Sequence, residues 1–361
     1  TGATDDAPTT NNAVLRYKYD LGTQSFIGGL LTSKINEEST NQVFALDGGW
    51  ASNHFLGNKS IRIEGWFGQS ISNGRATSNN STAGIWFDYP NDRWSASGLI
   101  GTTQRDFDPQ LGFLSRANYE TVQGYVNFEP RWLNGYGVRK VLFCLADLTM
   151  YRTAGTGYVE TFAYGFRPFG LLLKSGDVIG LNVNLYEDGV TEPFAISDEV
   201  TIGAGRYTYQ EISPYINTFR GRRLQVAFTP SWGTFFGGQK TTYGTSLQAN
   251  FSKHFNVQAT HTWNALRFAD AEPNGTTTLE TTELALYPTY TFTTNLTVSV
   301  FAQWNSLSDF VRFNARLHWI PRIGTDLFLV LDQTHTPSEH IDLFRPTARN
   351  MVGKLVWRLM F

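Results

Sequence analysis

The sequence predicts an all-β fold, a transmembrane antiparallel β-barrel of about 18–20 strands, on three grounds. Segments of about ten residues alternate apolar and polar side chains from end to end. Short turns take turns with longer connections. The apolar face of several segments closes on tryptophan.

VRFNARLHW, residues 311–319, shows the alternation without a slip. Val311, Phe313, Ala315, Leu317 and Trp319 fall on one side, and Arg312, Asn314, Arg316 and His318 on the other. Period two marks an extended strand, whose successive side chains point to opposite faces. LTVSVFAQW sets Leu296, Val298, Val300, Ala302 and Trp304 against Thr297, Ser299, Phe301 and Gln303. LQVAFTPSW sets Leu224, Val226, Phe228, Pro230 and Trp232 against Gln225, Ala227, Thr229 and Ser231. IGLNVNLY (179–186) and SIRIEGWF (60–67) behave alike, the second with Ile61, Ile63 and Phe67 opposite Arg62 and Glu64. A soluble sandwich alternates too, but with shorter strands and mostly simple loops. Helical periodicity is scarce.

The connections carry a second signal. Short turns are expected at 21–24 (LGTQ), 55–58 (FLGN), 90–93 (PNDR), 134–137 (NGYG), 174–177 (KSGD), 220–223 (RGRR), 252–256 (SKHFN), 293–295 (TTN) and 321–325 (PRIGT). Between them fall connections at 34–42, 70–82, 103–120, 186–210, 268–277 and 333–343, with shorter ones near 153–157, 236–241 and 305–309. Outer-membrane barrels are built in this way, with short periplasmic turns and longer external loops.

The end of the chain agrees. In KLVWRLMF, Leu355, Trp357, Leu359 and Phe361 share one face, and Lys354, Val356, Arg358 and Met360 the other. A last strand finishing in an aromatic residue resembles the signal by which such barrels are recognised for assembly. With Phe361 at the periplasmic rim, every strand acquires a direction. The row Arg312 to His318 then faces the lumen, because an arginine at mid-bilayer costs about 2–4 kcal/mol.

Counting raises a difficulty. Roughly nine short turns join eighteen strands and the last strand makes about nineteen, where bacterial barrels normally have an even number. The first strand, near VLRYKY (14–19), runs toward the periplasm, as does the last. Direct closure would therefore be parallel. Either one strand is miscounted, within 158–173 or 190–210, or an odd number of strands comes from another segment. Residues 1–12 read as a polar external loop or N-terminal tail, and 13–361 as the barrel.

Composition sets limits. The 361 residues carry a formal charge of -2, with 17% charged and 15% aromatic residues, so no electrostatic footprint for nucleic acid exists. No run of about 18 apolar residues suits a transmembrane helix. TGATDDAPTTNN lacks the basic and apolar regions of a secretory signal, so any export signal is expected outside this sequence. Cys144, the single cysteine, reads as a small apolar strand residue.

Four stretches carry a resemblance: NARLHWIPRIGTDLFLV (314–330), FDPQLGFLSRANY (107–119), PFAISDEVTIGAGRY (193–207) and AVLRYKYDLGTQSFIGGLLTSK (13–34). They resemble the C-terminal barrel of a family of unknown function whose members usually carry, ahead of the barrel, a domain similar to the family-nine carbohydrate-binding modules. The resemblance covers nearly the whole chain in order. It implies an outer-membrane barrel of a Gram-negative bacterium, of the Bacteroidota or a related group. It also implies that the carbohydrate-binding-like domain and earlier strands lie outside this chain. The family has no established catalytic residues.

Candidate lumen residues are Arg16, Lys18, Arg62, Glu64, Arg312, Asn314, Arg316, His318, Lys354 and Arg358. They read either as a basic stripe selecting anionic or sugar-like solutes, or as an internal network that stiffens the wall or seats a plug. The second reading is favoured, because lumen charges are general in barrels. Trp232, Trp263, Trp304, Trp319, Trp357 and Phe361 are expected at the membrane interfaces rather than as sugar-stacking platforms. His335, Glu339, His340 and Asp342 offer metal-ligand chemistry, but their spacing fixes no geometry and a solvated loop is the simpler reading.

No catalytic residues are assigned. A nucleophilic serine needs a base and an oxyanion site, no Gly-x-Ser-x-Gly elbow exists, and His54 and His318 have no signature neighbours. The expected function is a transport or export channel, plugged or gated, linked by the resemblance to carbohydrate handling. The alternatives are a structural or assembly subunit of an outer-membrane complex and, behind it, a barrel-borne hydrolase. No cofactor is expected. The expected partners are outer-membrane lipid and lipopolysaccharide, the barrel-assembly machinery, and a protein segment closing or plugging the barrel, most simply the N-terminal part of the same precursor.

Overall fold

The computed structural model describes residues 9–74, 78–269, 276–307, 310–335 and 346–358. Alternating β-branched and aromatic residues extend the chain into strands throughout. They begin with β1 (Asn11–Leu21), β2 (Ser25–Ile35), β3 (Thr40–Phe55), β4 (Lys59–Ser72), β5 (Ser81–Pro90), β6 (Trp94–Thr103) and β7 (Tyr119–Phe128). Next come β8 (Val138–Val141), β9 (Phe143–Thr153), β10 (Val159–Leu173) and β11 (Val178–Val190). A small hairpin of β12 (Phe194–Ala195) and β13 (Thr201–Ile202) stands apart, inside the 190–210 region where a miscounted strand was an open reading. The wall resumes with β14 (Gly205–Asn217), β15 (Leu224–Phe235), β16 (Gly238–Asn250), β17 (Phe255–Ala269) and β18 (Thr276–Thr293). It ends with β19 (Leu296–Asn305), β20 (Phe310–Arg322), β21 (Thr325–His335) and β22 (Ala348–Trp357).

Twenty of these strands form one antiparallel sheet. β8 pairs with the last residues of β10 and β9 with the remainder, while the Leu142 N–H between them bonds the Gly170 carbonyl. The two are halves of one bent strand, which leaves nineteen wall strands among the described residues. The count expected from the short turns was about nineteen.

Eight of the nine connections on the turn rim are short, at 22–24, 56–58, 91–93, 174–177, 218–223, 251–254, 294–295 and 323–324. The ninth corrects an expectation. NGYG is not a tight turn between two strands but a 3-10 turn, Asn134–Tyr136, inside a connection running from 129 to 137. Gly137, in the left-handed region at φ 78°, ends it, and the buried Pro130 carbonyl takes the Val141 N–H. The opposite, loop rim carries the long connections 104–118 and 191–204. The shortest loop-rim connection among the described residues is Phe236 and Gly237, which join β15 to β16 with both φ values positive, 45° and 85°, the two-residue turn whose twist suits a hairpin; the connection expected at 34–42 narrows to 36–39.

The strand pairings sort all nineteen strands into two faces. One row runs Lys18, Gly28, Asp47, Trp66, Gly84, Gly101 and Thr121, each opposite the next. The other face carries the large apolar side chains. Tyr17, Leu46 and Leu355 are each 66% exposed there. Such a face in water would forfeit about 25 cal/mol for every Å² left uncovered, so it calls for an apolar surround. The fold is the wall of a transmembrane antiparallel β-barrel, one layer thick and without a conventional core. The wall is open. Among the described residues β1 pairs with β2 alone and β22 with β21 alone, and both run from the loop rim to the turn rim.

Candidate functional site

The polar face is the candidate site. Register places Arg16, Lys18, Arg62, Glu64, Arg312, Asn314, Arg316, His318 and Lys354 all on it. Arg358 lies just past β22, its N–H on the Gly324 carbonyl. Most of these charges have local partners. Arg16 reaches across β2 to grip Asp47 with both nitrogens, at 2.5 and 2.7 Å. It passes over Gly28, where a Cβ would collide with its guanidinium. Lys18 pairs with Asp20 at 3.4 Å and lies 4.4 Å from the centre of the Phe26 ring. Arg62 pairs with Glu64 at 2.8 Å, His318 with Asp326 at 2.8 Å, and the Asn314 amide donates to Asp332 at 2.5 Å. Arg312 covers the Phe310 ring. Arg316 and Lys354 have no side-chain hydrogen bond or ion pair among the described residues.

A second cluster on the same face escaped the sequence reading. Tyr186 and Tyr209 stack with ring centres 5.0 Å apart, and the Tyr209 hydroxyl donates to Asp188. Lys240 pairs with Glu211 at 3.2 Å, and Arg167 donates to Asn182 at 3.0 Å while lying over Tyr215. Strand parity was the available signal: in IGLNVNLY, Tyr186 shares its parity with Asn182 and Asn184. Trp66 likewise shares parity with Arg62 and Glu64, and its ring lies against Gly84 on the polar face.

The long loops fold over this face. In 104–118, the Asp108 carbonyl accepts from the Asn41 amide at 2.9 Å, the Gln110 N–H donates to the Asn41 carbonyl oxygen at 3.3 Å, and the Asp108 N–H donates to Ser70 at 2.9 Å. Arg116 pairs with Glu160 at 3.3 Å and lies over Tyr151. One loop therefore bridges β3 and β4 to β9 and β10 across the strands between. Asn41 is 1% exposed beneath it, whereas Phe113 near its apex is 90% exposed. On the other side Phe236 packs against Phe194, Tyr207, Tyr209 and Phe235, tying 191–204 to the polar face.

Ionic clamps join neighbouring turns on the turn rim. Asp177 accepts both Arg222 nitrogens at 2.5 and 2.8 Å, together with Ser175 and the Phe219 N–H. The Arg222 guanidinium, with those two donors, holds the Asp177 carboxyl down at about 2. Asp92 is held at about 2 by Lys140 and Arg131.

The tryptophans follow a staircase on the apolar face. Trp232 stands in the row of Thr241 and Ala265, Trp263 in the row of Tyr243, and Trp304 in the row of Leu284 and His261. Each step descends two residues toward the turn rim. A level belt on strands tilted by about 45° must step through rows in this manner. Trp319 and Trp357 stand near the turn rim on the same face, and Phe361 lies outside the described residues.

His335 is buried, with Nε2 3.4 Å from the Gln333 side-chain amide, whose oxygen accepts from the Arg349 guanidinium at 2.9 Å. Its expected companions Glu339, His340 and Asp342 lie outside the described residues, among which no group of three metal-ligating side chains occurs.

No family model and no curated protein matches the chain. Among solved structures it is similar to the ferric-catecholate import receptor Fiu from E. coli K12, with a TM-score of 0.56 at 10% identity, over 97% of this chain and 73% of that one. It is also similar to BauA, the ferric preacinetobactin receptor from Acinetobacter baumannii, with a TM-score of 0.55 at 8% identity, over 92% of this chain and 68% of that one. At such identities the likeness is one of fold, that of an antiparallel β-barrel.

Proposed function

We propose that this chain forms most of the wall of an outer-membrane transport or export barrel of a Gram-negative bacterium, with the polar face lining an occupied or gated lumen. The observation that carries this reading is the sorting of nineteen strands into one apolar and one charged face without a break. The fold shared with two import receptors supports it. The loops 104–118 and 191–204, folded over the polar face, support a gated lumen. The family resemblance adds a link to carbohydrate handling.

Closure needs strands from elsewhere. β1 and β22 run in the same direction, so an odd number of further strands restores antiparallel pairing at both edges. A second copy cannot supply them, since its β22 beside β1 would again be parallel. The partner is the N-terminal part of the same precursor. A wide barrel encloses a lumen large enough for a folded plug.

Reconstitution of the intact protein into planar bilayers tests the channel reading. Small or gated conductance steps are expected, and a large, unselective, constantly open conductance would sink the occupied lumen. A complete absence of conductance, with solute flux also absent, favours the structural-subunit alternative.

A further inference from the structure

The ladder between β14 and β15 holds four registered pairs, against thirteen between β11 and β14 and twelve between β15 and β16. Those four share one register, with Ile212 opposite Trp232 and Ile216 opposite Phe228. The same register sets Pro214 opposite Pro230, at the centre of the gap. Neither residue has an N–H to give. The ladders on their far sides run on unbroken, Pro214 beside Leu181 and Pro230 beside Tyr243. The missing donors are thus confined to the shared seam.

Proline within a sheet belongs at an edge, where no neighbour waits for its donor. Two facing prolines make this seam two blunted edges laid side by side. Ser213, 5% exposed, supplies its hydroxyl to the Pro230 carbonyl at 3.1 Å, satisfying that acceptor from within the wall. Opening any other ladder in hydrocarbon strands N–H groups without partners; here the central pair has none to strand. The β18–β19 ladder is also interrupted near a proline, Pro288, but it keeps eight pairs, and register places Val300, which retains its N–H, opposite. We infer that the wall opens laterally between β14 and β15, connecting the polar face with the bilayer at the paired prolines.

Hydrogen exchange on the intact protein in lipid nanodiscs tests this. Amides of Ile212, Ile216, Phe228 and Trp232, which face the seam, are expected to exchange at least tenfold faster than those of 241–247 in β16. On a C144A background, an oxidised S213C/S231C bridge, whose positions stand opposite in the same register, slows the seam about tenfold. A bridge between S231C and T242C, across the intact β15–β16 ladder, leaves it unchanged. P214V/P230V restores two donors and slows the seam as the first bridge does. Equal exchange in the two wild-type ladders overturns the inference, whether or not the variants fold. A folded P214V/P230V that exchanges like wild type overturns it too.

Discussion

Leu317 and Asn314 sit three residues apart on β20, and register puts them on opposite faces. A charge at 317 enters the apolar surround and costs about 2–4 kcal/mol at mid-depth, falling toward the rims. Leu317→Arg is therefore expected to cut assembled, heat-modifiable protein severely, with Asn314→Arg near wild type. Cysteines at 313 and 317 should react with bilayer-confined reagents, and those at 312 and 316 with aqueous ones. The reverse labelling would remove the membrane placement of this strand. At the turn rim, Asp177 titrates at about 2 when folded, against roughly 3.9 for an unperturbed aspartate. A depressed carboxyl contributes stability that is fully present above the unfolded value and lost as pH falls through the folded one. Asp177→Asn is expected to lower the melting temperature at pH 7, and the difference from wild type should shrink between about pH 4 and pH 2. A difference unchanged at pH 2 would show that the clamp does not act through the charge.

Among elements, the loop 104–118 depends most on distant partners. Asn41→Ala leaves the Asp108 carbonyl and the Gln110 N–H without their partner under cover, at a cost of about 1–3 kcal/mol. Since 1.4 kcal/mol is a tenfold shift in opening, trypsin should cut at Arg105 or Arg116 roughly tenfold faster or more. Asn53→Ala, near the turn rim, should leave those rates alone, and equal cleavage in both variants would mean that the loop is not held at Asn41. The strands themselves were legible because the pleat converts a local alternation into two faces. NGYG was less so. Its composition suits a tight turn, but Leu142 interrupts the following strand, and β8 pairs with β10 instead of forming a hairpin with β7. That choice lies in long-range pairing.

At the scale of the molecule, direction decides. With both edge strands descending to the turn rim, cysteines at Leu15 and Leu355 are expected to remain uncrosslinked in the intact protein under oxidation. Efficient disulfide formation between them would show β1 beside β22 and end the proposal of intervening strands. Direction was already readable from the strand count, since each connection reverses the chain and the eighteen connections between nineteen strands are an even number of reversals. The continuity of the polar face was readable strand by strand, as was the apolar placement of Trp319 and Trp357.

The period of two, the length of the segments and the asymmetry of the connections were determined by the sequence alone, because each is settled within ten or fifteen residues. Register is not local. A strand slipped by two residues keeps its faces but exchanges every neighbour, so only the tertiary structure decided that Arg16 meets Asp47, 31 positions along the chain. The same holds for Asn41 with Asp108 and for Pro214 facing Pro230. Alternation tells each side chain which face it joins, and long-range pairing tells it whom it meets there.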